Sequence, residues 1–229
     1  MRSSHKVHFM FDESAGIYYP VGADCVLYHA YWDGTAIDHS SYGNDGTVFG
    51  AIFGALGLTF DGNDDYISIP ADSSLNWEAG GDYSRFYWVN FHVNTVQRID
   101  SLLDSDGHGL YGTVESAVQI QTAFYNGAYP YTQVYNGFNP LGGWQLIGFE
   151  VDSDVGAAIS INGVLVTGWA GAISAEGSIA FRMRIGEGGS GWETVRIHAD
   201  IGEAHWFKSI LTNAQRMTLY NATKARYGL

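Results

Sequence analysis

The stretch that decides the fold is DHSSYGNDGTVFGAIFGALGLTFDGNDDYISIP, from Asp38 to Pro70. Apolar residues recur at every second position on both sides of its acidic run 61–65, at Leu58, Phe60, Ile67 and Ile69. A period of two is typical of half-buried strands, and Gly, Asn and Asp accept the positive φ of tight turns. The stretch therefore predicts a β-hairpin with a five-residue acidic loop, and an all-β fold.

Two later segments complete the pattern. NGVLV, at 162–166, opens with the Asn-Gly pair that favours two-residue hairpins, and IGEAHWFKSILTNAQRMTLYNATKARYG occupies 201–228. In this order and spacing, the three pieces resemble the laminin-G-like branch of the concanavalin A-like lectin/glucanase superfamily. The resemblance implies a jelly-roll β-sandwich of two antiparallel sheets with one short C-terminal helix, and Thr212 with Gln215 predicts the capping box of that helix.

The length and composition favour one domain. The chain has 229 residues, 46% hydrophobic, with 30 Gly and 4 Pro, which suits one sandwich with many turns. We assign residues 24–229 to the laminin-G-like domain. Residues 1–23 fall outside the resemblance and are either an added edge strand or an arm that docks on a neighbouring subunit. Cys25, the single cysteine, excludes an internal disulfide and is expected to be buried.

The charge limits the partners. The chain carries 24 acidic and 11 basic residues, a net charge of −13, which repels nucleic acid phosphates and anionic membrane surfaces. We therefore expect no nucleic acid partner and no membrane partner. The first ten residues, MRSSHKVHFM, contain basic residues but no apolar core of a secretory leader, so we expect no secretory address.

The family resemblance implies a calcium site as well. A loop of the type D-x-S-x-x-G-N-x-G often holds a structural calcium in such families, helped by an acidic residue near the last strand. Asp38 and Asn44 match the loop, and Glu203 is the acidic residue available, because the position often occupied by Asp is Gly202. Calcium as a cofactor at Asp38, Asn44 and Glu203 is thus one hypothesis; the other is that Asp38 and Asn44 cap the turn.

The strand predicted at 83–93 has two unlike faces. Tyr87, Val89, Phe91 and Val93 are assigned to the core. The opposite face bears Trp88, Asn90 and His92, an unusual set for a face that meets only solvent. In lectin-like sandwiches resembling this one, a sheet face and its rim loops bind sugar or a protein partner, so these three are candidate binding residues. Burial of Trp88 beneath other parts of the chain is the alternative.

Other aromatic residues form a second candidate surface. FYNGAYPYTQVYNGF, at 124–138, contains two Asn-Gly turns, and two tryptophans lie beside Gly-rich loops elsewhere. The candidate glycan- or partner-binding residues from these segments are Tyr125, Tyr129, Tyr131, Tyr135, Trp169 and Trp192. Exposed tyrosine and tryptophan rings suit both sugar stacking and protein interfaces. Ordinary strand tyrosines and buried tryptophans remain the alternatives.

A hydrolase is the least favoured function. Glucanases of the superfamily carry a Glu-x-Asp-x-(x)-Glu strand motif, and the segment 150–154 here reads EVDSD. Its last carboxylate belongs to Asp154, whose side chain is one carbon shorter, and such a displacement is costly to catalysis. We therefore expect a protein that is not an enzyme and that has no catalytic residues.

The preferred hypothesis is a virion-associated structural and binding protein, such as a capsid decoration or tail-surface subunit of a bacteriophage. The closing NATKARYG, at 221–228, is similar to the ends of laminin-G-like phage proteins. Its partners would be protein subunits of a larger assembly, as a homo-oligomer, together with host-surface glycans, and its location the virion surface. The alternative is a carbohydrate-binding adhesive module of an extracellular or cell-surface protein.

Overall fold

The computed structural model describes residues 8–12, 17–21, 24–76, 81–103, 109–125, 130–152, 154–169, 182–187 and 195–229. It is a jelly-roll β-sandwich of two antiparallel sheets, as predicted. The strands are β1 His8–Asp12, β2 Ile17–Val21, β3 Cys25–Ala30, β4 Thr47–Phe49, β5 Ile52–Gly54, β6 Gly57–Asp61, β7 Tyr66–Ile69, β8 Tyr83–Phe91, β9 Gln97–Leu103, β10 Gly109–Ser116, β11 Gln119–Tyr125, β12 Pro130–Asn136, β13 Gln145–Asp152, β14 Gly156–Ile161, β15 Val164–Leu165, β16 Arg182–Ile185 and β17 His198–Phe207.

The two sheets differ in strand order. One has eight strands in the order β15-β14-β13-β8-β17-β6-β5, with β3 also paired to β17. The other has seven strands in the order β12-β11-β10-β9-β16-β7-β4. Helix α1, Asn213–Thr223, follows β17, and short 3₁₀ helices occupy Tyr31–Asp33, Ser73–Leu75 and Lys224–Tyr227. The predicted capping box is confirmed, because the Thr212 and Gln215 side chains each bond the other's backbone N–H.

The predicted hairpin around the acidic loop is wrong, although its core positions are correct. Leu58, Phe60, Ile67 and Ile69 are all fully buried. However, β6 belongs to the eight-stranded sheet and β7 to the seven-stranded sheet, so they do not pair with each other. The loop 61–65 carries the chain from one sheet to the other. Both strands therefore place their apolar residues in the same core from opposite sides.

A buried ion pair joins the two sheets within this core. Arg85 of β8 donates from Nη1 to Asp100 Oδ2 of β9 at 2.5 Å, and both side chains are fully buried. Asp100 also accepts hydrogen bonds from the Tyr87 hydroxyl at 2.6 Å and from the Gly112 backbone N–H at 2.6 Å. Burial raises the pKa of Asp100, and Arg85 opposes that rise. These polar contacts fix how β8 lies over β9.

Residues near the N-terminus form a hairpin, because β1 and β2 pair with each other. Within the described ranges, neither strand joins a sheet of the sandwich. The division at residue 23 therefore stays a prediction. Cys25 is buried as expected, and desolvation raises the pKa of its thiol. No helix in the described part of the chain is both long and apolar enough to span a membrane.

Candidate functional site

A bulge in β17 divides the outer face of the eight-stranded sheet into two halves. Asp200 lies opposite Asn90, but the register then shifts, and Glu203 lies opposite Trp88. The extra residue is Gly202. A side chain does not fit at this position, because a Cβ would lie 2.2 Å from the Tyr227 hydroxyl. β17 also changes partner at this point, from β6 to β3. The outer face of β17 therefore carries Asp200 before the bulge and Glu203 after it.

The half after the bulge is covered by the C-terminal segment. Trp88 is fully buried there, and its indole N–H donates to Thr223 Oγ1 at 2.8 Å. Its ring stacks on Tyr220 and Tyr227, with centroids 5.8 and 4.4 Å away. The prediction that Trp88 lies on a binding surface is therefore wrong. Tyr220 of α1 and Tyr227 of the following 3₁₀ helix cover Trp88, and burying its large apolar ring stabilises the fold.

Glu150, one of the two carboxylates considered for hydrolysis, lies beneath the same helix. It is buried and forms an ion pair with Arg216 of α1. Asp154 lies beyond the end of β13, where its backbone N–H donates to Asp152 Oδ1 at 2.9 Å. The structure therefore gives Glu150 a role in holding the helix against the sheet.

The half before the bulge is open and polar. At its centre is Asp200, which accepts from Thr59 Oγ1 at 2.7 Å through Oδ1. Its Oδ2 accepts from His92 Nε2 at 2.9 Å and Asn90 Nδ2 at 3.3 Å. The side chain of His92 is 30% exposed and that of Asp200 is 24% exposed. We call Thr59, Asn90, His92 and Asp200 the Asp200 surface.

The Asp200 surface keeps free hydrogen-bonding capacity. A carboxylate offers about four acceptor positions, and the three donors fill all but one. Because His92 donates from Nε2, its Nδ1 is the ring nitrogen left for another partner. Among the described residues, the side-chain carbonyl oxygen of Asn90 also lacks a partner. The surface can thus accept and donate several further hydrogen bonds.

An indole and an imidazole ring lie at the start of, or just before, the two strands that flank β8. Trp144 precedes Gln145, the first residue of β13, which pairs with Val89 of β8. The Trp144 ring is half-buried and packs on Tyr227 with centroids 4.5 Å apart. On the other side, the His92 and His198 rings meet edge to face at 5.1 Å.

The proposed calcium ligands do not fit a metal site. Asp38 accepts four hydrogen bonds, from the Tyr28, Ser40 and Asn44 backbone N–H groups and from the Ser40 hydroxyl, at 2.6–2.9 Å. Glu203 lies beneath the C-terminal segment, where it pairs with Arg226 and His205 and accepts from the Trp32 indole. Protein N–H, O–H and cationic groups therefore use the oxygens that calcium would need. Turn capping by Asp38, the alternative, is what these contacts show.

Of the other predicted aromatic residues, Tyr135 and Trp169 are the two whose side chains the structure describes. Tyr135 lies in β12, half-buried against the core rather than on a loop. Trp169 is half-buried after β15. Tyr125 and Tyr131 lie in β11 and β12, with side chains outside the described part. Tyr129 and Trp192 lie outside the described residues. These side chains remain predicted binding residues.

Of the predicted site residues, the structure groups Asn90 and His92. Sequence reasoning missed Asp200, Thr59 and Trp144, which lie on three other strands or their ends. Asp200 alternates with buried Ala199 and Ile201, a signal that it points out of the core. The strand order, which places Asp200 opposite Asn90, was not readable from one sequence.

Comparisons with known proteins support the fold. No protein-family model and no curated protein sequence matches the chain. The binding domain of botulinum neurotoxin serotype G matches with a TM-score of 0.71 and 16% identity, over 88% of this chain and 52% of that one. The chain thus spans about half the length of the toxin domains that it matches.

Two further solved structures are similar. Domain 4 of AbnA, a GH43 extracellular arabinanase from Geobacillus stearothermophilus in complex with arabinotriose, matches with a TM-score of 0.66 and 16% identity, over 86% of this chain and 98% of that one. Trypanosoma rangeli sialidase in complex with sialic acid gives 0.70 and 14%, over 93% of this chain and 35% of that one. These likenesses show a lectin-like β-sandwich fold.

Proposed function

We propose that the protein is a glycan-binding module and that the sugar binds at the Asp200 surface. The observation that carries this proposal is Asp200 itself, a carboxylate on an open sheet face that three donors orient while one acceptor position remains. Sugar hydroxyls donate to carboxylates and accept from amide and imidazole N–H groups. The half-buried Trp144 ring, just before the adjacent strand β13, offers an apolar surface for the C–H groups of a sugar.

The comparisons support binding over catalysis. The toxin structures are binding domains, one of them from serotype D in complex with N-acetylneuraminic acid. The arabinanase domain was solved with arabinotriose. In this chain, Glu150 is buried against Arg216 and is not part of the open surface. We therefore propose a non-catalytic role.

A glycan array tests the proposal with the wild type, Asp200→Asn and a matched control. The control is Asp33→Asn, because Asp33 pairs with His39 at 2.8 Å with nearly the same exposure as the pair of Asp200 with His92 at 2.9 Å. We expect Asp200→Asn to weaken glycan binding about tenfold or more, since a charge-assisted hydrogen bond is lost. Asp33→Asn should bind as the wild type does.

Two outcomes would contradict the proposal. One is a wild-type protein that binds no glycan on the array. The other is an Asp200→Asn variant that binds as tightly as the wild type. Thermal unfolding of both variants checks that each is folded before the arrays are compared.

We propose two placements for such a module. A phage virion surface is supported by the similarity of residues 221–228 to the ends of laminin-G-like phage proteins. An extracellular or cell-surface adhesive module is supported by the toxin and extracellular arabinanase structures. Light scattering distinguishes them, because an assembly subunit is expected to be a stable homo-oligomer and an adhesive module a monomer.

A further inference from the structure

We propose that the Asp200 surface selects neutral glycans and rejects those that carry a carboxylate. This inference rests on the proposed function and adds the chemical class of the ligand. Solved structures of this fold include complexes with both classes, the neutral arabinotriose and the acidic N-acetylneuraminic acid.

The first reason is the charge within the surface. Asp200 is at its centre, so a ligand carboxylate would approach a fixed negative charge. Among the described residues, no arginine or lysine is hydrogen-bonded or paired to Asp200. The His92 ring contacts Asp200 through Nε2 and meets the His198 ring edge to face, so the Nε2 of His92 is already directed at Asp200.

The second reason is the charge at its border. Asp61 lies opposite His198 in the neighbouring strand β6. Asp61, Asp64 and Asp65 follow one another along the loop, with carboxyl oxygens within 4.8 Å of one another. Asp61 is exposed, and hydrogen bonds from Asn63 hold its pKa below the usual value for an aspartate. Neither Asp61 nor Asp64 forms an ion pair with a described arginine or lysine.

The third reason is that four arginines of the described region are paired with carboxylates other than Asp200. Arg226 lies over the Trp32 ring and pairs with Glu203, and Arg216 is buried with Glu150. Arg184 and Arg196 both pair with Glu187. Carboxylate recognition usually uses an arginine or a helix N-terminus, and these arginines are committed to other partners. The open surface therefore offers hydroxyl-binding groups and like charge.

The test compares matched pairs of oligosaccharides on the full chain, each pair differing by one terminal N-acetylneuraminic acid, such as lactose and sialyllactose. We expect the neutral member to bind at least about tenfold more tightly than the acidic member, because the carboxylates of the surface repel the carboxylate of the ligand. Raising the salt concentration should narrow the difference by strengthening acidic binding, since salt screens repulsion between exposed charges.

A charge variant separates repulsion from shape. Asp61→Asn with Asp64→Asn removes two border charges without altering the hydrogen-bonded centre. We expect acidic binding to rise severalfold and neutral binding to stay constant. The control, Glu115→Gln with Asp154→Asn, makes the same change in net charge, with Glu115 on β10 of the seven-stranded sheet and Asp154 beyond the end of β13, and should leave the ratio of neutral to acidic binding unchanged.

Three results of these binding measurements would overturn the inference. If the acidic member binds as well as or better than the neutral one, the inference is overturned while glycan binding stands. If border neutralisation and salt both leave acidic binding unchanged, charge is not the cause of selection and the inference is overturned as well. If no oligosaccharide binds at all, the proposed function fails, and the inference fails with it.

Discussion

One guanidinium nitrogen of Arg216, Nη1, lies 3.0 Å from Oε1 and 2.8 Å from Oε2 of Glu150. The same nitrogen donates to the Leu211 carbonyl at 2.5 Å, and Nη2 donates to Asn213 Oδ1. Arg216 thus joins the start of α1 to the middle of β13. This buried contact positions the helix whose Tyr220 packs on Trp88.

Glu150 is expected to make stability depend on pH. Burial raises its pKa to about 7, from a usual value of 4.5, although Arg216 and Ser84 lower it. A carboxyl group whose pKa is higher when folded stabilises the protein most below pH 4.5 and loses that contribution as the pH rises through about 7. The wild type should therefore lose about 3 kcal/mol through this group between about pH 4 and about pH 8.

Glu150→Gln should remove that loss, because the amide does not titrate and its carbonyl still accepts from Arg216. Urea unfolding across the same pH range measures the difference between variant and wild type, which should shift in favour of the variant as the pH rises. Thr218→Val serves as the control, since the exposed Thr218 hydroxyl bonds the Ala214 carbonyl and the change leaves the Glu150 carboxyl group and its partners in place. A difference between Glu150→Gln and wild type that is constant with pH would contradict this prediction.

Thr223→Val is expected to destabilise the protein by about 1–3 kcal/mol. The change keeps the shape but leaves the buried Trp88 indole N–H without its acceptor. Thr218→Val is the matched control, because Thr218 makes the same bond to the carbonyl four residues earlier, at 2.8 Å, but is exposed. Chemical unfolding of both variants gives the comparison, and an equal cost at the two positions would show that the indole contact contributes nothing.

Arg85→Met should destabilise the protein by about 3 kcal/mol or more, because buried Asp100 would lose the arginine that is hydrogen-bonded to it. Arg184→Met is the control, since Arg184 is partly exposed and its partner Glu187 retains Arg196. That variant should lose less than about 1 kcal/mol. Similar unfolding free energies for the two variants would count against a structural role for the buried pair.

Gly202→Ala is expected to cost about 2 kcal/mol or more. The new Cβ would lie 2.2–2.6 Å from atoms of the Tyr227 ring and hydroxyl, which packs on Trp88. Gly168→Ala is the control, because a Cβ there would meet nothing within 4 Å. Thermal unfolding measures both variants; a Gly202→Ala protein as stable as the control would mean that the bulge tolerates a side chain.

The core was readable from the sequence because each buried strand alternates. Tyr87, Val89 and Phe91 face the core as predicted, whereas Val93 lies beyond the end of β8 and is half-buried. Asn162 and Gly163 form the predicted turn, with φ of 52° and 81°. The pairing around the loop 61–65 was not readable, because alternation shows which face of a strand is buried and not which strand lies beside it.

The candidate site was only partly readable for the same reason. Asn90 and His92 stood out as polar residues on a strand of large apolar ones. The exposure of Trp88 depends on α1, which lies more than a hundred residues later in the sequence. The last residue of that helix, Thr223, accepts the hydrogen bond from the Trp88 indole. The burial of Arg85 and Asp100 was not predicted from the sequence. A buried charge is stable only beside a partner, and the partner of each lies on the other sheet.

The position of β17 has a consequence for how the protein is made. β17 lies inside the eight-stranded sheet, paired with β8 on one edge and with β6 and β3 on the other, yet it is the last strand in the chain. During synthesis, the edges of those three strands stay open until β17 leaves the ribosome. Open edges invite pairing with other nascent chains. The chain should therefore depend on chaperones that shield strand edges, and variants that slow the docking of β17 should aggregate before they lose equilibrium stability.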